Sequence, residues 1–260
     1  MKSIVIRMAV ATALCAASAG GFAATSWGLT DLPANNPLVT GWKASTNAVL
    51  IGSTTVDYWS GNGVGVGGES SSDGQHSLDN QSGFEVALLS FDQQVRLESV
   101  RAGWTQTDSD IFVMAFTGSG ALTATTSLTG GKFSNLTTRG WTLVGNYADI
   151  GTVSRSLGTT AGTFSNTYSS FWLIGAGGFS AGAGVNSGDI ESGSAVAFGT
   201  CPSGSNTVCG KYDYLKLASV TGTIKSNNGG GGSVPEPGSL ALAGLAFMGM
   251  VGVRRRKQAA

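Results

Sequence analysis

"FEVALLSFDQQVRLESVRAGWTQTDSDIFVMAFT", residues 84–117, holds three runs of strand length. Phe84–Phe91 is largely apolar. Val95 and Leu97 then alternate with Arg96 and Glu98, which puts the two apolar side chains on one face of an extended chain. Asp110–Thr117 is almost wholly apolar, the pattern of a central strand covered on both faces. The residues between these runs are Asp, Gln, Ser and Thr, which suit turns and edges.

Outward from this stretch the pattern repeats. "NAVLIGSTTVDYW" (47–59), "GWTLVGNY" (140–147), "SSFWLIGA" (169–176), "SAVAF" (194–198) and "KYDYLKLASVTGTI" (211–224) are short apolar, β-branched or aromatic runs between Gly, Ser, Asn and Asp. "GNGVGVGGESSSDGQ" (61–75) reads as a long loop, and no amphipathic helix is evident between residues 25 and 225. Strand-length runs at this spacing indicate an all-β body, a single β-sandwich with jelly-roll-like connectivity. The order of the strands does not follow from the sequence.

The two ends differ from this body. Lys2 and Arg7 precede an uncharged apolar run, Met8–Ala17, and then the small residues of "SAGGFAATS". These are the three regions of a secretory signal peptide, with cleavage after Ala23, where Gly21 and Ala23 fill the small-residue positions. At the other end, Ser239–Val253 holds only apolar, glycine and serine residues. As a helix it would span about 22 Å at about 1.5 Å per residue, against about 30 Å for a bilayer core. Arg254, Arg255, Arg256 and Lys257 follow, a cluster that stays on the cytoplasmic side. The expected division is a signal peptide over 1–23, the β-body over 24–225, a Gly-rich linker over 226–233 and a membrane-directed tail over 234–260.

Removing the ends alters the charge. The chain has 15 basic and 15 acidic residues, but six of the basic ones lie in the terminal segments. The body is left near −5, which argues against nucleic acid as a partner. Forty-one glycines and a 12% charged fraction fit a secreted β-protein with many turns. Cys15 would leave with the signal peptide. Cys201 and Cys209 remain, and an even pair in an exported protein reads as a disulfide. It would close a small loop worth roughly 2–3 kcal/mol.

Val234, Pro235, Glu236 and Pro237 open the tail, ahead of the short apolar run and the Arg-rich end. With these three parts in this order the tail resembles the PEP-CTERM sorting signal. The resemblance implies export in a Gram-negative bacterium through the Sec translocon and transient residence in the inner membrane. It also implies processing by exosortase near Pro-Glu-Pro, then the cell surface or extracellular matrix. The prolines keep the motif extended, and "SNNGGGGS" (226–233) is a flexible spacer that can deliver it to a membrane enzyme. The body resembles exosortase-dependent surface proteins in Asp79-Asn80, Gly103-Trp104, Asp108 with Asp110, "FWLIGA" and "DYLKLASVTG". That group is defined by export, so the likeness assigns no catalytic residue.

Chemical motifs in the body are weak. "GFSAG" (178–182) fits a nucleophile elbow, but the lone histidine, His76, lies upstream and no helix is expected after it. "GVGVGG" (63–68) fits a dinucleotide loop only if a helix follows, and "ESSSDG" follows instead. Asp108 and Asp110 can offer oxygen ligands to calcium, although turn capping is the commoner use. Trp27, Trp42, Trp59, Trp104, Trp141 and Trp172 suit a core, and any exposed ones suit sugar rings. The expectation is a non-enzymatic exported protein without a cofactor, associated with exopolysaccharide or biofilm. A carbohydrate-binding module is the alternative, and a secreted hydrolase is a more distant one.

Overall fold

A computed structural model describes residues 24–30, 37–68, 76–158, 164–186, 190, 196–197 and 212–226. Ala23–Lys225 form one compact unit. In chain order the first strands are β1 (Thr25–Gly28), β2 (Leu38–Ala44), β3 (Gly52–Thr54), β4 (Val56–Trp59), β5 (Gly63–Val66) and β6 (Leu78–Asp79). β7 (Phe84–Thr107) and β8 (Ile111–Phe116) follow. A short helix, α1 (Ala124–Thr129), and a 3-10 turn, Phe133–Arg139, separate β8 from β9 (Trp141–Ala148). The rest are β10 (Arg155–Ser156), β11 (Ser169–Ala176), β12 (Gly178–Ser180), β13 (Gly184–Asn186), β14 (Val196–Ala197) and β15 (Asp213–Ile224).

β7 organises the fold. The sequence suggests separate strands at 84–91 and from 95 onward, yet the backbone runs extended through Asp92-Gln93-Gln94 as one strand of 24 residues. Those polar residues are exposed and interrupt neither the extended backbone nor the side-chain parity. Ala87, Leu89, Phe91, Val95 and Leu97 all enter one core. The first half of β7 pairs with β11 on one side and β2 on the other. Its second half pairs with β15 and, at Ser99–Val100, with β10. The main sheet therefore has two limbs joined through one strand, in the order β14-β9-β8-β11-β7-β15-β5-β4. β12 and β13 form a separate hairpin.

Both limbs feed the same core. Ala87, Leu89, Val113 and Ile174 come from the first, and Val64, Val100, Ala102, Leu215, Leu217 and Val220 from the second. The limbs thus face each other in a sandwich-like arrangement. Irregularities tune the second limb. Ser99 pairs with Thr221 and Leu97 with Gly222, so Glu98 is an extra residue on β7. This bulge moves the inward set from 95 and 97 to 100 and 102.

The opposite face of the first limb is also covered. Val86, Leu88, Phe112, Met114 and Leu173 pack there against Leu128 of α1 and Phe133 and Leu136 of the 3-10 turn. This explains the unbroken apolar run in β8. Ile111, Val113 and Ala115 face the inter-limb core, while Phe112 and Met114 face the helical cover. The cover is local structure that the strand patterning misses. Thr123 caps α1: its Oγ1 accepts from Thr126 N at 3.1 Å, and Thr126 Oγ1 accepts from Thr123 N at 2.9 Å. Trp141 then ties the cover to the sheet, donating from Nε1 to Ser127 Oγ at 2.7 Å.

Candidate functional site

Five strand ends converge on a buried polar hub. Ile111 pairs with Tyr147, so the residues just before β8 meet those just after β9. Asp213 at the start of β15 pairs with Thr107 at the end of β7, and Tyr214 pairs with Asp79 of β6. Asn80, Asp108, Asp110, Asp149 and Asp213 are thereby drawn to one end of the body. All except the half-buried Asp149 are buried.

Hydrogen bonds hold the hub together. Asn80 Nδ2 donates to Asp213 Oδ2 at 2.6 Å, and Asp213 N donates back to Asn80 Oδ1 at 2.9 Å. Asp213 Oδ1 accepts from Asp110 N at 2.7 Å. Asp110 accepts from Asp149 N at 2.9 Å and from Ile190 N at 3.3 Å. Asp108 Oδ1 accepts from Ser109 N at 2.7 Å. Asp108, Asp110 and Asp149 each also place one carboxylate oxygen within 4.8 Å of the others. Three oxygens so grouped can ligate a hard cation such as calcium. The sequence marks Asp108 and Asp110 for this chemistry but misses Asp149. It picks out Asp79-Asn80 and "DYLKLASVTG" as motifs without showing that they meet, because Asn80 and Asp213 are 133 residues apart.

The crowding has a titration consequence. Burial pushes the Asp213 carboxyl well above the ordinary carboxylate value of 3.8, and the charges of Asp110 and then Asp108 push the same way. The hydrogen bonds from the Asp110 backbone and the Asn80 side chain oppose the shift without cancelling it. The folded protein therefore holds this proton to higher pH than the unfolded chain. The stability this supplies is present below the unfolded value and is lost as pH rises through the folded one. In metal-free buffer, the midpoint of thermal unfolding should fall more steeply above about pH 4 in the wild type than in Asp213→Asn. Parallel pH profiles for the two proteins would show that Asp213 is not the group responsible.

The other sequence motifs are placed as follows. "GFSAG" lies on β12 and in the turn to β13, so its Ser180 belongs to a hairpin and opens no helix. "GVGVGG" begins with β5, where Val64 and Val66 are buried and Val64 pairs opposite Leu217 of β15. The long-loop reading of residues 61–75 is thus corrected for residues 63–66. Of the tryptophans, Trp42, Trp141 and Trp172 are core residues, and Trp172 Nε1 donates to Ser169 O and Val95 O at 3.0 and 3.2 Å. Trp27 packs edge-on against Phe91. Trp59 is exposed, and Trp104 is half-buried beside it.

The end segments lie outside the described residues. That holds for Ala23, Cys201, Cys209, Val234, Pro235, Glu236, Pro237 and the basic residues Arg254, Arg255, Arg256 and Lys257. Among the described residues, no helix is long and apolar enough to cross a membrane. Residues 233–257 match the family model for the PEP-CTERM protein-sorting motif. The chain carries a PEP-CTERM sorting motif. This makes it an exported protein sorted to the cell surface through exosortase. The match takes in the Pro-Glu-Pro element, the apolar run and the basic cluster together. No curated protein and no solved structure matches the chain.

Proposed function

We propose that the protein is a non-enzymatic component of the cell surface or extracellular matrix, retained there with exopolysaccharide. The observation that carries the reading is the sorting motif at residues 233–257, joined to a compact β-body through a Gly-rich spacer. The order implied is Sec-dependent export, signal-peptide removal after Ala23, a pause in the inner membrane, and processing by exosortase near Pro235-Glu236-Pro237. The Cys201–Cys209 disulfide would form once the body reaches an oxidising compartment. A body of low charge and high glycine content suits a passive matrix role, and the carboxylates of Asp110 and Asp213 in the polar hub are already engaged by backbone and amide donors.

Fractionation of the native host tests this reading. Tagged protein should sediment with the polysaccharide of the matrix, and a strain lacking the protein should form weaker flocs or biofilm. Recovery only in the periplasm or the clarified medium, with an unchanged matrix in the deletion strain, would overturn the proposal.

A further inference from the structure

We propose that the outer face of the β15–β5–β4 limb carries a polysaccharide-binding platform centred on Trp59. The inference deepens the matrix reading and rests on it. β4 pairs with β5 so that Tyr58 lies opposite Val64 and Trp59 opposite Gly63. Val64 points into the inter-limb core, which directs Trp59 and Asp57 to the outer face. On β15, Leu215 and Leu217 point inward, so Lys216 shares that outer face, and Trp104 of β7 is its direct cross-strand partner.

These residues form a continuous patch. Lys216 Nζ sits 4.4 Å from the Trp59 ring centre and 4.5 Å from that of Trp104. The two indoles cover the ammonium almost completely, leaving Lys216 3% exposed. Burial lowers its pKa and Asp57 pulls it back up, so the cation serves as a wedge beneath the rings. His76 lies against the other neighbour, 5.6 Å from the Trp59 ring at an interplanar angle of 32°. Trp59 nevertheless keeps 39% of its surface in solvent. A large aromatic fixed by a cation and an imidazole loses little conformational entropy on binding.

The second observation is independent of the rings. Among the described residues, three buried side-chain polar atoms lack a hydrogen-bond partner, and all three belong to this corner: Asp57 Oδ2, His76 Nδ1 and Ser77 Oγ. The first two are 3.3 Å apart but out of alignment for a hydrogen bond. Buried polar atoms are nearly always hydrogen-bonded in folded proteins, so three without a hydrogen bond in one corner call for a partner. His76 also holds a left-handed backbone, φ 56°, which is unusual for a non-glycine residue. The Asp57 and His76 side chains are 36% and 29% exposed, so a ligand hydroxyl can reach their rim. An exposed indole beside a partly exposed carboxylate and imidazole is complementary to a pyranose, whose C–H face stacks on aromatics and whose hydroxyls both donate and accept. A body near −5 with a carboxylate in the patch disfavours nucleic acid.

Affinity electrophoresis of the full chain tests the platform. The gels would contain laminarin, xylan, alginate or the exopolysaccharide purified from the host. Wild type should be retarded by at least one of them. Trp59→Ala should weaken that retardation at least tenfold, and Trp59→Phe should restore part of it. Trp27→Phe, which alters an indole packed on the core, should migrate as wild type. Thermal unfolding of each variant would confirm that the body still folds. Absence of retardation in all four gels, or unchanged binding by folded Trp59→Ala, would overturn the platform. Failure of the platform is separable from failure of the matrix reading. If folded Trp59→Ala still sediments with the matrix, the site is wrong and the matrix role stands. If wild type does not sediment with the matrix, the role itself fails.

Discussion

Replacing Pro235, Glu236 and Pro237 with alanine should leave full-length precursor in the inner membrane and remove most of the protein from the surface. The substitution leaves Ser239–Val253 and the cluster Arg254–Lys257 intact. A simple anchor depends on hydrophobic length and on the basic residues that follow, so it would behave almost as before. A processed signal depends on an extended, donor-poor peptide that an enzyme can hold. Pro235 and Pro237 fix φ and remove two N–H groups, which disfavours helix at these positions, and alanine lifts both restrictions. Deleting the host exosortase should produce the same accumulation. The readout is apparent mass and membrane fraction in both strains. Normal processing and surface display in both would reduce the tail to an ordinary short anchor.

The sorting tail was legible because its function resides in local sequence. A short motif, a hydrophobic run and a charge cluster act without a tertiary fold, and their order is visible in the chain. The β-class was legible for a related reason. The parity of Ala87, Leu89, Val95 and Leu97 is a local property, and so is the doubly apolar run of β8. Features that depend on strand pairing were not legible. Asp108 and Asp110 are conspicuous as a pair, but their neighbours Asp149 and Asp213 arrive from β9 and β15 through pairings no sequence spacing encodes. The helical cover was hidden because Thr-rich "ATTSLT" has poor intrinsic helix propensity, and its formation rests on the Thr123 cap and on burial of Leu128. The strand β5 was hidden by its glycines, which look like loop residues until their surroundings are known.

Those glycines carry the second large effect. Gly65→Ala should abolish stable folding of the body, and Gly63→Ala should do nearly the same. A Cβ at Gly65 would fall far inside van der Waals contact with the His76 carbonyl oxygen. At Gly63 it would strike the Leu217 carbonyl, and that residue also has φ +108°, which L side chains rarely adopt. Both obstacles are backbone atoms, so no side-chain rotation relieves them. β5 would have to move away from β15 at Gly63 and from the His76–Ser77 backbone at Gly65, withdrawing Val64 and Val66 from the core they now fill. Each valine contributes roughly 1.5–3 kcal/mol by burial, and a domain holds only about 5–15 kcal/mol in total. Two other glycines calibrate the result. Gly28 has open space around a Cβ and an ordinary backbone, so alanine there should be nearly neutral. Gly61 also has open space but φ +78°, so alanine should cost only about 1–2 kcal/mol of backbone strain. Urea unfolding of the four variants should therefore rank them Gly28, Gly61, Gly63 and Gly65 in increasing damage. Equal and mild losses at all four would mean that β5 does not approach β15 and the His76–Ser77 backbone as closely as the fold requires. The glycine content would then reflect loop flexibility, and not strands packed at backbone distance.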